Sequence, residues 1–324
     1  MGKATLKQLL AERDWLLADG ATGTNLYNMG LAPGEAPDLW CETHPERVRE
    51  LHRLMVAAGA DLILTNSFGA NAVRLRLSGA ADRVHSLNET AARLAREAAD
   101  AADRPVLVAG SMGPTGEIMA PMGRLTEAEA IQIFTAQAQG LKDGGADLLW
   151  VETISAAEEL RAASAAARAV GLPWCGMMSF EPGGWTMMGV TPPQLAALVE
   201  RLPDRPQAYG ANCGTGPAEL LSAVAGFAAA GSERLMIAKP NAGVPRYQDG
   251  GLIYDAAPSV MAEFAVLARD LGVKIIGGCC GTTPAHLAAM HEALSTQPRG
   301  KRPSAEVISN RMRDAMRDAS THED

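Results

Sequence analysis

Two thiols stand side by side near the end of the chain, in Gly277-Gly278-Cys279-Cys280-Gly281-Thr282-Thr283-Pro284. An apolar run, Val273-Lys274-Ile275-Ile276, leads into them and reads as a short buried strand; Thr-Thr-Pro then opens a helix. Successive side chains on an extended strand point to opposite faces, so a strand by itself cannot aim both sulfurs at one ion. The flanking glycines let the strand end bend and bring both round. A third soft ligand stands in Asn212-Cys213-Gly214, after the strand-like run Ala208-Tyr209-Gly210-Ala211. Three thiolates would leave one position of a tetrahedral zinc open, as a catalytic site requires. The competing reading makes the cysteines small buried hydrophobes and Gly-Gly an ordinary turn, since the chain has no CxxC and no Cys-His spacing of the structural-zinc kind.

What separates these readings is where the cysteines fall in the pattern of elements that must position them. Leu6, Leu9 and Leu10 share one face of a short opening helix, placed to plug the bottom of a barrel. Strands are expected at 15–18, 61–68, 105–110, 147–151, 174–180, 208–213, 234–238 and 273–276. Helices are expected between them, among them 46–58 with Val48, Leu51, Leu54 and Met55 as its apolar face, 87–102, and 126–142 with the capping signal Thr126-Glu127-Ala128-Glu129. Further helices are expected at 156–170, 192–201, 217–230 and 258–271. A connection rich in Pro and Gly runs from Gly30 to Pro45. Short, continuously apolar strands alternating with helices indicate the α/β class and a (β/α)8 TIM barrel. An open doubly wound sheet is the rival, but the first strand-loop-helix unit lacks GxGxxG.

In a barrel the strand ends converge on one mouth. That puts Asp19, Thr65, Asn66, Ser111, Glu152, Asn212, Cys213, Asn241, Cys279 and Cys280 around a single opening. The barrel is expected to occupy residues 1–296. Residues 297–324 form a polar extension, in which Val307, Ile308, Met312 and Met316 stripe a final helix against the barrel or a partner.

Composition narrows the class. The chain has 324 residues, 47% of them hydrophobic but only 4% aromatic, so aliphatic side chains must fill the core. A formal charge of −8 argues against nucleic acid and anionic membrane surfaces. Five cysteines, two of them adjacent, make no disulfide framework and suit a reducing compartment. No signal-peptide core and no bilayer-length apolar run is present, so a soluble cytoplasmic protein is expected, with homo-oligomerisation left open.

The ensemble resembles the homocysteine S-methyltransferase family, which includes betaine–homocysteine methyltransferase and the N-terminal module of cobalamin-dependent methionine synthase. The stretches that carry the likeness are Asp19 to Thr24, Thr65-Asn66-Ser67-Phe68, Gly113-Pro114-Thr115-Gly116, Glu152-Thr153, Gly210-Ala211-Asn212-Cys213, Lys239 to Gly243 and Gly277 to Pro284, across roughly residues 14–293. The resemblance implies a barrel whose Zn²⁺ is held by Cys213, Cys279 and Cys280, with L-homocysteine's sulfur as the fourth ligand. The physical need is clear: a free thiol near pKa 8.5 is mostly protonated at neutral pH, and only the thiolate attacks. By the same likeness Glu152 would bind the substrate's ammonium group, and Asp19 belongs to that pocket. Helix capping is the plain alternative for Glu152, and a local turn for Asp19. Backbone N–H groups near Gly20 and Ala21 are candidates for the substrate carboxylate. Thr65 and Ser111 either touch substrate or fix loops. Cys41, Cys175, His52 and His85 read as structural, and His286 as an outer residue of the site.

Methyl donors divide the family. Betaine and S-methylmethionine are cations suited to aromatic faces. The betaine enzymes carry tyrosines where this chain has Gly69 and Thr153, and its loops look closer to the methionine synthase module. A methyl-corrinoid protein supplied in trans is therefore the expected donor, with betaine or S-methylmethionine as the alternative. A non-catalytic homocysteine-binding subunit of a split methionine synthase is the reading of another class.

Overall fold

The computed structural model describes residues 4–231, 234–248 and 251–320. The chain alternates strands and helices around a parallel barrel. Its strands are β1 (Leu16–Leu17), β2 (Leu62–Leu64), β3 (Leu107–Met112), β4 (Leu148–Ile154), β5 (Trp174–Met178), β6 (Ala208–Cys213) and β7 (Leu235–Pro240). A hairpin follows, β8 (Pro245–Gln248) with β9 (Gly251–Tyr254), and the last barrel strand is β10 (Ile275–Ile276). The sheet of eight parallel strands runs β1-β10-β7-β6-β5-β4-β3-β2. A bridge from Ala18 to Leu62 closes it, reinforced by Asp19 N–H to Leu62 O at 3.0 Å and Asp61 N–H to Leu17 O at 2.6 Å. The expected (β/α)8 barrel is the observed fold.

Strand periodicity of two sorts side chains to two cores. Leu16, Leu62, Leu107, Leu148, Trp150, Cys175, Met177, Ile237 and Ile275 pack in the barrel interior, together with Leu6 and Leu9 of the opening helix (Leu6–Glu12), which plugs the bottom. Their neighbours in sequence, among them Leu17, Ile63, Val108, Leu149, Tyr209, Met236, Ala238 and Ile276, face outward into the larger core under the helices. Both faces of every barrel strand are thus dry, which is why the strands read as unbroken apolar runs.

Several strands are displaced from their expected limits. β2 stops at Leu64 because Thr65 and Ser67 turn the chain with their own hydroxyls, 2.6 Å apart. β3, β4 and β7 instead run on into the polar residues at their ends. In the helix Pro45–Ala57, Leu54 is 37% exposed, whereas His52 is buried with Val48, Leu51 and Met55. The connection from Gly30 contains a helical turn at Pro37–Leu39 and a short helix at Trp40–Thr43, which bury Trp40 and Cys41. The hairpin β8–β9 is absent from the expected elements, although Asp249-Gly250 between its strands is a hairpin turn signal.

The final helix, Ala305–Ser320, lies on the helices Pro217–Ala229 and Pro258–Leu271 and buries Ile308 and Met312, while Val307 faces outward. The chain leading to it is pinned: the buried Arg269 guanidinium donates to the carbonyls of Gln297 at 2.6 Å and Pro298 at 2.8 Å. Among the described residues no helix is long and apolar enough to cross a membrane.

Candidate active site

Two strand ends deliver the three thiols, Cys213 from β6 and the pair Cys279-Cys280 from beyond β10. The sulfurs of Cys213, Cys279 and Cys280 all lie within 4.8 Å of one another. A tetrahedral ion with metal–sulfur bonds of about 2.3 Å needs sulfurs about 3.8 Å apart, so the grouping is the right size. Cys213 reaches it because its backbone leaves the strand in the left-handed region, at φ 64°. Such a conformation is strained for a residue with a Cβ and has to be held by its surroundings. Cys279 and Cys280 sit beyond β10 in a turn closed by Gly281 at φ 79°. Cys279 N–H donates to Pro240 O at 2.6 Å, Cys280 N–H to Asn241 Oδ1 at 3.1 Å, and Gly281 N–H to Thr24 Oγ1 at 3.1 Å. The bend inferred from the flanking glycines is present, and both adjacent sulfurs face one point.

The thiols by themselves resist ionisation together. At Cys213 the hydrogen bond with Cys279 favours the thiolate, but the one with Cys280 and burial outweigh it, and the group is pushed up to about 11. At Cys280 the bond with Cys213 favours the thiolate, while Cys279 and burial push it up to about 12. Cys279 moves the same way, chiefly through its contact with Cys213. Three sulfurs this close can all be thiolates only around a cation, and a soft donor set of this kind suits a zinc-like ion. Among the described residues no fourth His, Cys, Asp or Glu joins the group, so one ligand position would face the cavity.

Asn212 ties the thiols to the carboxylate side. Its amide oxygen accepts from Thr153 N–H at 2.8 Å, and its amide nitrogen donates to Thr153 Oγ1 at 2.8 Å. Thr153 is the other non-glycine residue at positive φ among those described, at 62°. It follows Glu152, which is 6% exposed and accepts from Ser111 Oγ at 2.6 Å. Ser111 N–H in turn donates to Thr65 Oγ1 at 2.9 Å. Thr65 and Ser111 thus form a chain that orients Glu152. Glu152 does not cap a helix: the next helix is capped by Ala156.

Asp19 forms no local turn through its side chain. One oxygen accepts from Leu64 N–H at 2.7 Å and the other from Lys239 Nζ at 2.8 Å. Lys239 is 1% exposed and lies over the Trp150 ring, 5.6 Å from its centroid. Burial pushes the Asp19 and Glu152 carboxyls upward, and the Lys239 charge opposes it in both. Burial likewise works against the Lys239 ammonium, but Asp19 and Glu152 more than compensate and keep it protonated.

A cavity of about 430 Å³ joins these groups. Gly20, Ala21, Thr65, Ser111, Glu152, Cys213, Cys279 and Cys280 all line it, as do Lys239, Asp38, Arg74 and the aromatics Tyr27, Phe68 and Tyr254. Asp19 touches the cavity only through Lys239, since both its oxygens are engaged. Ala21 N–H is donated to Thr282 O at 3.0 Å, which leaves it no free backbone donor for a ligand. Sequence reasoning missed Lys239 as a site residue, although it has the strand parity of the inward-facing Ile237 and could have been found by it. It also missed Tyr254, which arrives on the unforeseen hairpin. Trp40 is buried beside His44 and Arg47, and Trp185 is 52% exposed; neither lines the cavity. His286 caps its helix and contacts Ala256 O at 2.8 Å, and Cys41 and Cys175 are fully buried.

Comparison with known proteins locates relatives of this arrangement. A family described as homocysteine S-methyltransferase matches residues 16–294. A methionine synthase of Mycobacterium tuberculosis is 32% identical over 303 residues, covering 89% of this chain and 25% of that protein. A methionine synthase of Mycobacterium leprae is 32% identical over 318 residues, 92% of this chain and 26% of its own length. The chain therefore spans about a quarter of the curated relatives it matches. The metallated form of the homocysteine methyltransferase MmuM from Escherichia coli superposes with a TM-score of 0.75 at 26% identity, covering 89% of this chain and 99% of that one.

Proposed function

Because the chain belongs to the homocysteine S-methyltransferase family, we propose that it methylates the sulfur of L-homocysteine to give L-methionine, taking the methyl group from a methyl-corrinoid protein that meets the barrel mouth. The observation that carries the reading is the joining of three convergent thiols and a buried carboxylate in one cavity. Cys213, Cys279 and Cys280 would hold a zinc ion, whose chemistry is to keep the substrate's sulfur deprotonated and nucleophilic at neutral pH.

The remaining work falls to the chain's own side chains. Glu152 receives the substrate's ammonium group, with its carboxylate aimed by Ser111 and Thr65. Asn212 keeps the two positive-φ residues of the site in register, since it holds Thr153 and precedes Cys213. The cavity walls strip water from the sulfur, which strengthens its attack on the methyl carbon. In the proposed transfer the sulfur's lone pair would become the new S–C bond, and the bonding pair of the broken methyl–cobalt bond would remain with the donor. By this assignment residues 1–296 act as a homocysteine module, and the helix Ala305–Ser320 buttresses its outer wall.

The donor reading draws support from the methionine synthase relatives and from the rim of the mouth. Among the described residues, exposed large apolar side chains gather on loops that follow strands: Leu77 after β2, Ile118 and Met122 after β3, Trp185 and Met187 after β5, Val244 and Tyr247 after β7. A rim of that kind suits a macromolecular donor. Tyr27, Phe68 and Tyr254 in the cavity favour the second reading, a small onium donor such as betaine or S-methylmethionine, because aromatic faces attract cations.

The decisive experiment supplies zinc-loaded protein with homocysteine and, at matched concentrations, betaine, S-methylmethionine or a methyl-loaded corrinoid protein. Methionine is expected with the corrinoid protein. Turnover with betaine or S-methylmethionine alone would overturn the donor assignment. If no donor gives methionine, the cobalt-substituted protein separates the remaining readings: a visible spectrum altered by homocysteine indicates a binding subunit, and an unaltered one removes the sulfur from the metal altogether.

A further inference from the structure

Lys239 is the buried cation of the cavity, and neither the thiols nor the substrate reading above gives it a task. It sits on β7 with its ammonium fixed on Asp19 at 2.8 Å and beneath the Trp150 face, and it lines the same space as Glu152. Titratable groups face it from three elements: the carboxyls of Asp19 from the end of β1 and Glu152 from β4, and the thiol of Cys279 from the loop after β10. The two carboxylates and the ammonium sum to one negative charge. Asp19 is committed, with one oxygen on Lys239 and the other on Leu64 N–H. Glu152 is held by Ser111 through one oxygen and feels the Lys239 charge across the cavity without forming an ion pair with it.

Two buried carboxylates without a countercharge would not both stay ionised, since desolvation and mutual repulsion each favour the protonated form. A protonated Glu152 accepts poorly from an ammonium group. We propose that Lys239 acts on the substrate through Glu152: pinned on Asp19, it keeps the Glu152 carboxylate charged, and so makes the cavity selective for thiols that carry an α-ammonium group. Lys239 is thus a positioning residue; the oxygen of Asp19 that accepts from its ammonium needs no charge of its own for this, since an amide oxygen accepts equally. The proposal rests on Glu152 as the ammonium site.

The test compares wild type, Lys239→Met and the isosteric Asp19→Asn, each checked for zinc content and melting temperature. Calorimetry measures the affinity for homocysteine and for 4-mercaptobutyrate, which has the thiol and carboxylate but no ammonium group. Wild type should prefer homocysteine. Lys239→Met should reduce that preference about tenfold or more, the effect expected of about one unit of lost charge stabilisation, with 4-mercaptobutyrate affinity unchanged. Asp19→Asn, which leaves the cation in place, should keep it. A merely structural role would weaken both ligands alike. Carbon-13 NMR of protein labelled at the glutamate carboxyl carbon, with Glu152→Gln for assignment, follows Glu152 without any substrate. Its titration should move up in Lys239→Met and down in Asp19→Asn. Shifts of the same sign in both variants, or none in Lys239→Met, overturn the proposal. Wild type that binds neither thiol would sink the functional reading, while the NMR titration would still decide the role of Lys239.

Discussion

At the level of single residues the site depends on Cys213 leaving its strand in a conformation that most side chains avoid. Its sulfur, with those of Cys279 and Cys280, should hold about one zinc per chain. Cys213→Ala, Cys279→Ala or Cys280→Ala should each bring the metal content close to zero. Glu152→Gln should keep its zinc and bind homocysteine about tenfold or more weakly, since a charged hydrogen bond is lost. Zinc retained at full stoichiometry after loss of all three thiols would end the assignment. His52 makes a second prediction, on stability. It is buried, its Nε2 has no partner, and burial lowers it from 6.5 to about 4. As pH falls through that window the unfolded chain takes up the proton first, so stability is lost on acidification, by up to about 3 kcal/mol at pH 4. His52→Leu removes that proton uptake. Urea unfolding at pH 7 and at pH 4 should show the variant gaining on wild type as the solution is acidified, and a constant difference would refute the account.

Elements matter here through close approaches that only glycine permits. Gly210 on β6 pairs with Ile237 on β7, and an added Cβ would lie 1.9 Å from the Ile237 carbonyl oxygen. It stands two residues before Asn212, whose amide holds Thr153. Gly210→Ala should therefore part the two strands and displace Cys213, costing about 1–3 kcal/mol by the usual scale of overpacking and weakening zinc retention against a chelator. Gly171 is the control. It ends the helix Ala157–Val170 at φ 71° with nothing within 4 Å of an added Cβ. Gly171→Ala should cost about 1 kcal/mol through the left-handed backbone alone and leave zinc retention untouched. Equal effects on zinc from both substitutions would show that strand spacing does not set the thiol geometry.

For the molecule as a whole, the distribution of exposed apolar side chains sets an expectation about its donor. Trp185 and Met187 are 52% and 79% exposed on the loop after β5, outside the cavity wall. Trp185→Ala combined with Met187→Asp should lower kcat/KM for a methyl-corrinoid protein about tenfold or more, as loss of an aromatic anchor does at an interface. Homocysteine affinity should stay as it was. Unchanged kcat/KM for the corrinoid protein would place the docking surface elsewhere. The same double variant should not affect turnover with a small onium donor, so the measurement also separates the two donor readings.

The sequence by itself determined the barrel, the plug and the thiol centre. Apolar strands repeated with helices between them allow few arrangements that keep both faces dry. Once the barrel is inferred, strand ends must meet, and Cys213, Cys279, Cys280 and Glu152 meet with them. Other features depended on contacts that no local pattern encodes. The partner of Asp19 lies 220 residues away, so its carboxylate could be read as a turn or a substrate ligand until Lys239 was seen to occupy it. Trp40 belonged to a loop of unknown path and proved to be core, while Tyr254 came to the cavity on a hairpin whose turn is marked by Asp249-Gly250 but whose packing at the mouth no local pattern encodes. Leu54 fitted the apolar face of its helix, but it is 37% exposed and His52 is buried instead. Periodicity gives the direction of a side chain from its own element; what stands opposite it is decided only when the barrel closes.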